Sequence, residues 1–208
     1  MERLIAPMVG RPDLMGGRTS LTLAEGMTGM MENVFINVKN KSKTITAEIE
    51  VSKGKVANGT ILCQGGRFGG WSLYVKDGIP AYDYNFLGLK HFTVKGAKPL
   101  TPGKHTLVFD FAYDGGGMAK GGAGTLKVDG KKVGQGRIGI TQPTIFSADE
   151  TADVGIDLGT PVVEAIGAEH KSKFTGHIHK VTIAVRDASP KADAAVAVGQ
   201  KKVAEATQ

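Results

Sequence analysis

Trp71-Ser72-Leu73-Tyr74-Val75-Lys76-Asp77-Gly78-Ile79-Pro80-Ala81-Tyr82-Asp83-Tyr84-Asn85-Phe86 contains two runs joined by Asp-Gly. The first run alternates apolar and polar residues, the period of a strand with two unlike faces. Asp-Gly between such runs is a strong hairpin signal, because a type I′ turn needs positive φ at both central residues. The same device recurs in Thr125-Leu126-Lys127-Val128-Asp129-Gly130-Lys131-Lys132-Val133. Ile45–Val51 and His105–Phe111 alternate as well, and Phe174 through Val185 places Ile178, Val181, Ile183 and Val185 in an apolar pattern. With Val34–Val38 and Thr60–Gln64 these runs give about ten short strands, and helix periodicity is nearly absent. Many short strands with Gly-rich turns specify an all-β chain, a two-sheet antiparallel sandwich. The polar side of each alternating strand predicts sheets covered on one face only.

The composition agrees. Thirty glycines in 208 residues are roughly twice average usage, without the three-residue period of collagen. One cysteine, Cys63, excludes an internal disulfide framework. No apolar run approaches the roughly 20 residues that cross a bilayer, so no membrane partner is expected. Met1–Pro7 lacks a secretory core, which places the chain in the cytoplasm by default and in the periplasm if it belongs to a longer precursor. The net charge of +6 is spread over lysines in ones and twos, such as Lys53 and Lys55 or Lys171 and Lys173. That pattern fits guarded strand edges better than a nucleic-acid surface.

Three zones follow: a Met- and Gly-rich segment over 1–33, the sandwich over 34–186, and a polar Ala/Lys-rich tail over 187–208.

Leu62-Cys63-Gln64-Gly65-Gly66-Arg67-Phe68-Gly69-Gly70-Trp71-Ser72-Leu73-Tyr74-Val75-Lys76-Asp77-Gly78 resembles a signature of the C-terminal region of long bacterial arylsulfatases. Tyr84–Leu89, Phe111–Gly117 and Phe146–Gly155 resemble further blocks of it, and Gly10–Asn33 is similar to the segment joining that region to the sulfatase domain. The resemblance spans residues 10–186 and implies a jelly-roll sandwich of the concanavalin A-like and laminin-G-like kind. The family's catalytic Cys/Ser-x-Pro-x-Arg motif is missing, since Cys63 is followed by Gln64-Gly65-Gly66-Arg67. The resemblance therefore implies a non-catalytic accessory domain, inactive alone. Its partner would be a sulfatase catalytic domain or a homologous chain, contacted through Met-rich residues 14–33. The alternative is a free-standing lectin-like module that binds carbohydrate.

Several residues are site candidates. Trp71, Tyr82 and Tyr84 either form an aromatic platform for sugar or a domain interface, or pack internally. Arg67, between two Gly-Gly pairs, reaches an anion or a carboxylate, or is simply solvated. Asp149, Glu150, Asp153 and Asp157 lie within nine residues of an expected loop; they suit Ca²⁺, or alternatively cap turns and pair with nearby lysines. Cys63 reads as a buried small hydrophobe. His177 and His179 share a strand face without an evident third metal ligand. Glu48 and Glu50 face solvent, and Asp114–Gly122 reads as a glycine-rich hairpin loop.

Overall fold

Both Asp-Gly turns form as read: Asp77 and Gly78 take φ of 52° and 78°, and Asp129 and Gly130 take 49° and 77°. The computed structural model of the chain describes residues 15–186. The tail expected over 187–208 lies outside the described residues, as does the start of the junction segment.

Among the described residues, eleven strands build two antiparallel sheets. They are β1 (Ser20–Leu23), β2 (Ser42–Val51), β3 (Gly59–Gly66), β4 (Gly69–Lys76), β5 (Ile79–Phe86) and β6 (Lys90–Lys95). They continue with β7 (Gly103–Tyr113), β8 (Gly122–Val128), β9 (Lys131–Ile138), β10 (Ala152–Val154) and β11 (His177–Arg186). The six-stranded sheet runs β1-β11-β2-β7-β8-β9, and the five-stranded sheet runs β10-β3-β4-β5-β6. This is the expected two-sheet sandwich.

The differences from the sequence reading are local. Val34–Val38 forms no strand; a 3₁₀ turn covers Glu32–Val34. Ser20–Leu23, expected in a junction segment, pairs with β11 as an edge strand of the larger sheet. The acidic stretch is not all loop, because Ala152–Val154 pairs with β3 in the register Asp153↔Cys63.

The six-stranded sheet follows the one-face rule, with β2 alternating half-buried and buried throughout. The five-stranded sheet does not: every residue of β3 is buried, and only Lys76 of β4 is exposed. The segment after β10 returns beside β3, where Ile156 O lies 3.5 Å from Cys63 Sγ. That segment is held by Thr60 N–H donating to Ser172 O (2.8 Å) and Gly155 N–H donating to Ile61 O (3.0 Å). Alternation underestimates burial wherever a loop returns over a sheet.

Gly59 permits that return. Its φ is +112°, and a Cβ there would lie 2.5 Å from Lys173 O and 2.6 Å from Phe174 Cα. Gly103 has a similar φ of +118° with open space around it. Gly59→Ala is therefore expected to lose roughly 1–3 kcal/mol more than strain alone costs. Urea denaturation of Gly59→Ala beside Gly103→Ala checks this, and equal losses would show that the close approach is absent.

Candidate functional site

Trp71, Tyr82 and Tyr84 point into the sandwich, where Trp71 and Tyr82 are fully buried and Tyr84 is 2% exposed. The expectation of a ligand platform is thereby corrected: alternation puts the three on one face, and that face is the core. Trp71 stacks towards Tyr82 (centroids 6.0 Å), Tyr82 lies on Phe109 (3.6 Å), and Phe35 tilts against Trp71 (6.3 Å). Trp71 Nε1–H donates to Gln64 Oε1 at 3.1 Å, and Tyr84 Oη accepts from Gln142 N–H at 2.7 Å.

Lys43 of β2 reaches into this cluster. Its Nζ lies 5.0 Å from the Trp71 ring centroid and 5.6–5.9 Å from those of Tyr82, Tyr84 and Phe111. Among the described residues no carboxylate lies within ion-pair reach of it. Burial, helped by the nearby Lys39 ammonium, lowers its pKa from 10.5 to about 7. Ring faces attract the cation but replace little of the water it has lost.

Opposite parity defines the other face of the smaller sheet. There Asp83 is buried, its carboxylate held by His91 Nδ1 (2.6 Å) and Thr93 Oγ1–H (2.5 Å). Ser72 pairs directly with Asp83, and Tyr74 stands on the same face. Arg67 is half-exposed and pairs with Glu164 Oε1 at 3.0 Å, a carboxylate of its own chain.

The four acids separate. Asp149 is exposed. Glu150 turns to Thr160, accepting from its N–H and, at 2.7 Å, its Oγ1–H. Asp153 and Asp157 come together in the interior, each 2% exposed, and Cys63 joins them. Asp153 Oδ1 accepts from Gly29 N–H at 2.7 Å, and Asp157 Oδ2 from Val162 N–H at 3.0 Å. Desolvation raises Asp157 to about pKa 7 against the backbone bond, with Asp153 and Glu150 adding repulsion. Burial and the same carboxylates push the Cys63 thiol upward. Cys63 is buried, as expected, though in polar company.

His177 and His179 lie edge to face, ring centroids 4.6 Å apart, and carboxylates flank them: Glu25 at 2.5 Å from His177 Nδ1 and Glu50 at 3.2 Å from His179 Nε2. Glu48 pairs with Lys180 on the same exposed surface. Beside them a depression of about 420 Å³ opens over β2 and β7, but its charges are largely satisfied in pairs such as His105 with Asp129 (2.7 Å).

A larger depression, about 540 Å³, lies at one end of the sandwich and is lined by Lys55, Val56, His170, Lys173, Phe174 and Thr175. Two lysines and a histidine are among its lining residues, and no acidic residue is. Lys55 comes from the β2–β3 loop, His170 from a 3₁₀ turn over Glu169–Lys171, and Lys173 from the segment that Gly59 admits. Sequence reasoning missed these residues because each lysine reads separately as an edge charge. Pairing distant in sequence brings their segments together: the bridge between Thr60 and Lys173, and Thr175 N–H donating to Asn58 O at 2.9 Å.

The sequence finds no match among protein-family models or curated proteins. Solved structures do match. The CBM40 domain of Ruminococcus gnavus IT-sialidase bound to α2,3-sialyllactose aligns with TM-score 0.54 at 13% identity, over 87% of this chain and 96% of that one. Its complex with α2,6-sialyllactose gives 0.51 at 13% identity over the same shares. The leech intramolecular trans-sialidase complexed with 2,7-anhydro-Neu5Ac gives 0.52 at 10% identity, over 86% of this chain and 26% of that one. The fold is therefore an all-β, two-sheet antiparallel sandwich of the kind found in CBM40 domains. The expected arylsulfatase relationship has no counterpart among these matches.

Lys43 makes stability pH-dependent. The unfolded chain holds its proton up to about pH 10.5 and the native chain only to about pH 7, so unfolding takes up a proton between those values. The stability contribution of this residue thus rises with pH in that window, by up to about 1.4 kcal/mol per unit, and is flat below it. In urea denaturation at stepped pH, the stability advantage of Lys43→Met over the parent should shrink from pH 7 to 10. A gap independent of pH would contradict this assignment.

Proposed function

We propose that this domain is a carbohydrate-binding module whose ligand is an acidic saccharide. The observation that carries the reading is the end depression, where Lys55, His170 and Lys173 converge without an opposing carboxylate. A sugar carboxylate or sulfate ester needs such donors, and lysine serves as a point-charge donor with three N–H groups. Val56, 62% exposed, supplies an apolar contact for a sugar C–H face. The sandwich is shared with CBM40 domains whose complexes hold sialylated lactose, a sugar bearing a carboxylate. The net charge of +6 would favour encounter with anionic glycans at low ionic strength.

A second reading is favoured by one surface. Met27 and Met31 are 42% and 47% exposed beside β10, in the segment over 14–33 expected to dock a sulfatase catalytic domain or a homologous chain, and Val34 just past it is 39% exposed. The two readings are compatible, because that surface and the basic depression use different residues.

On a glycan array, sialylated or sulfated glycans should bind above their neutral parents, and raised salt should weaken them. The Lys55→Ala/Lys173→Ala double variant should lose this signal by at least about tenfold while keeping its melting temperature. Equal binding of neutral glycans, or acidic binding that survives the double substitution, would overturn the reading.

A further inference from the structure

We propose that Cys63, Asp153 and Asp157 form a binding site for a divalent transition-metal ion of the zinc type. The claim goes beyond the saccharide reading and does not depend on it.

The three residues come from β3, β10 and the turn that follows β10, yet their donor atoms all lie within 4.8 Å of one another. Cys63 and Asp153 are directly opposed in the β3–β10 ladder, so their side chains leave the sheet on the same side. Asp157 is delivered by its backbone. Its N–H donates to Ser172 Oγ at 2.8 Å, and its carbonyl accepts from Glu169 N–H at 2.6 Å. Ser172 is itself fully buried. The cradle is thus fixed by sheet register on one side and by a buried serine on the other.

Two features point to a ligand. First, Asp157 is 2% exposed, and the hydrogen bond it accepts reaches Oδ2 only; among the described residues Oδ1 receives none. That oxygen is not sealed from solvent, which leaves its lone pairs open to an entering ion. Second, no ion pair among the described residues reaches any of the three, so two buried carboxylates and a thiol lie together without a counter-charge. One divalent cation would compensate all of them at once.

The donor set selects the ion. Ca²⁺ takes six to eight oxygens, and the acids that could enlarge the set are elsewhere: Asp149 is exposed and Glu150 is bound to Thr160. One sulfur with two carboxylates suits a four-coordinate ion of borderline softness with one position left for water. Asp153 already has a supporting contact, since Gly29 N–H donates to its Oδ1 at 2.7 Å and orients the carboxylate. The ion would tie the turn after β10 to the edge of the smaller sheet.

The lone cysteine gives a direct test. Co²⁺ added to the metal-free full-length chain should produce a near-ultraviolet thiolate-to-cobalt charge-transfer band, which Zn²⁺ then removes by displacement. Cys63→Ser should abolish the band. Asp157→Asn, which keeps size and fold, should weaken Co²⁺ affinity roughly tenfold or more. It also keeps the test decisive if Cys63→Ser does not fold. No band on Co²⁺ addition, or a band equally strong and equally tight in Asp157→Asn, would overturn the proposal.

Discussion

Tyr82 of β5 lies flat on Phe109 of β7, ring centroids 3.6 Å apart and planes 8° from parallel. This contact joins the two sheets. From it the stack continues through Trp71 to Phe35, so four rings run across the interior. Aromatic pairs contribute about 0.5–1.5 kcal/mol each beyond their burial. Their larger role here is registration. Phe109 sits opposite Ile45 of β2 and Leu126 of β8, and Tyr82 sits opposite Leu73 of β4 and Val94 of β6. A one-residue slip in either sheet would turn these rings outward. Lys43 lies beside the stack, with its ammonium within cation–π range of the Trp71 and Phe111 rings.

The same parity explains how much of the molecule could be read in advance. Asp77-Gly78 and Asp129-Gly130 specify their turns through local backbone chemistry, and the alternating runs specify which strands bury a face. These properties belong to single segments. Which face of β4 and β5 meets the other sheet is decided by packing, so the sequence leaves a surface role and internal packing both open for Trp71, Tyr82 and Tyr84, and the fold places them in the core. Burial on the second face of β3 is equally hidden, because the segment beside it comes from about a hundred positions later in the chain.

The site candidates divide along similar lines. Arg67 was recognisable as an exposed cation in a glycine-rich turn, but its partner Glu164 was not. Asp153 and Asp157 were recognisable as clustered acids. Cys63, their third neighbour, is placed by strand pairing that spans ninety positions, as in its contact with Asp153. Lys55 and Lys173 line one depression, and Gly59, having no Cβ, lets the later segment approach there. The inward-facing rings maintain the frame while the loops at its edge assemble charge, a division expected where a rigid sandwich carries its chemistry on connecting segments.

The central claim is that the end depression recognises an acidic sugar. Amide chemical shifts of the isotopically labelled chain, followed while 3′-sialyllactose and then lactose are titrated in, test it most directly. The account predicts saturable shifts centred on Val56 and on Lys173 to Thr175, produced by the sialylated sugar and much weaker with lactose. Shifts centred instead on Tyr74, Asp83 and His91, or no saturable shifts at all, would contradict it.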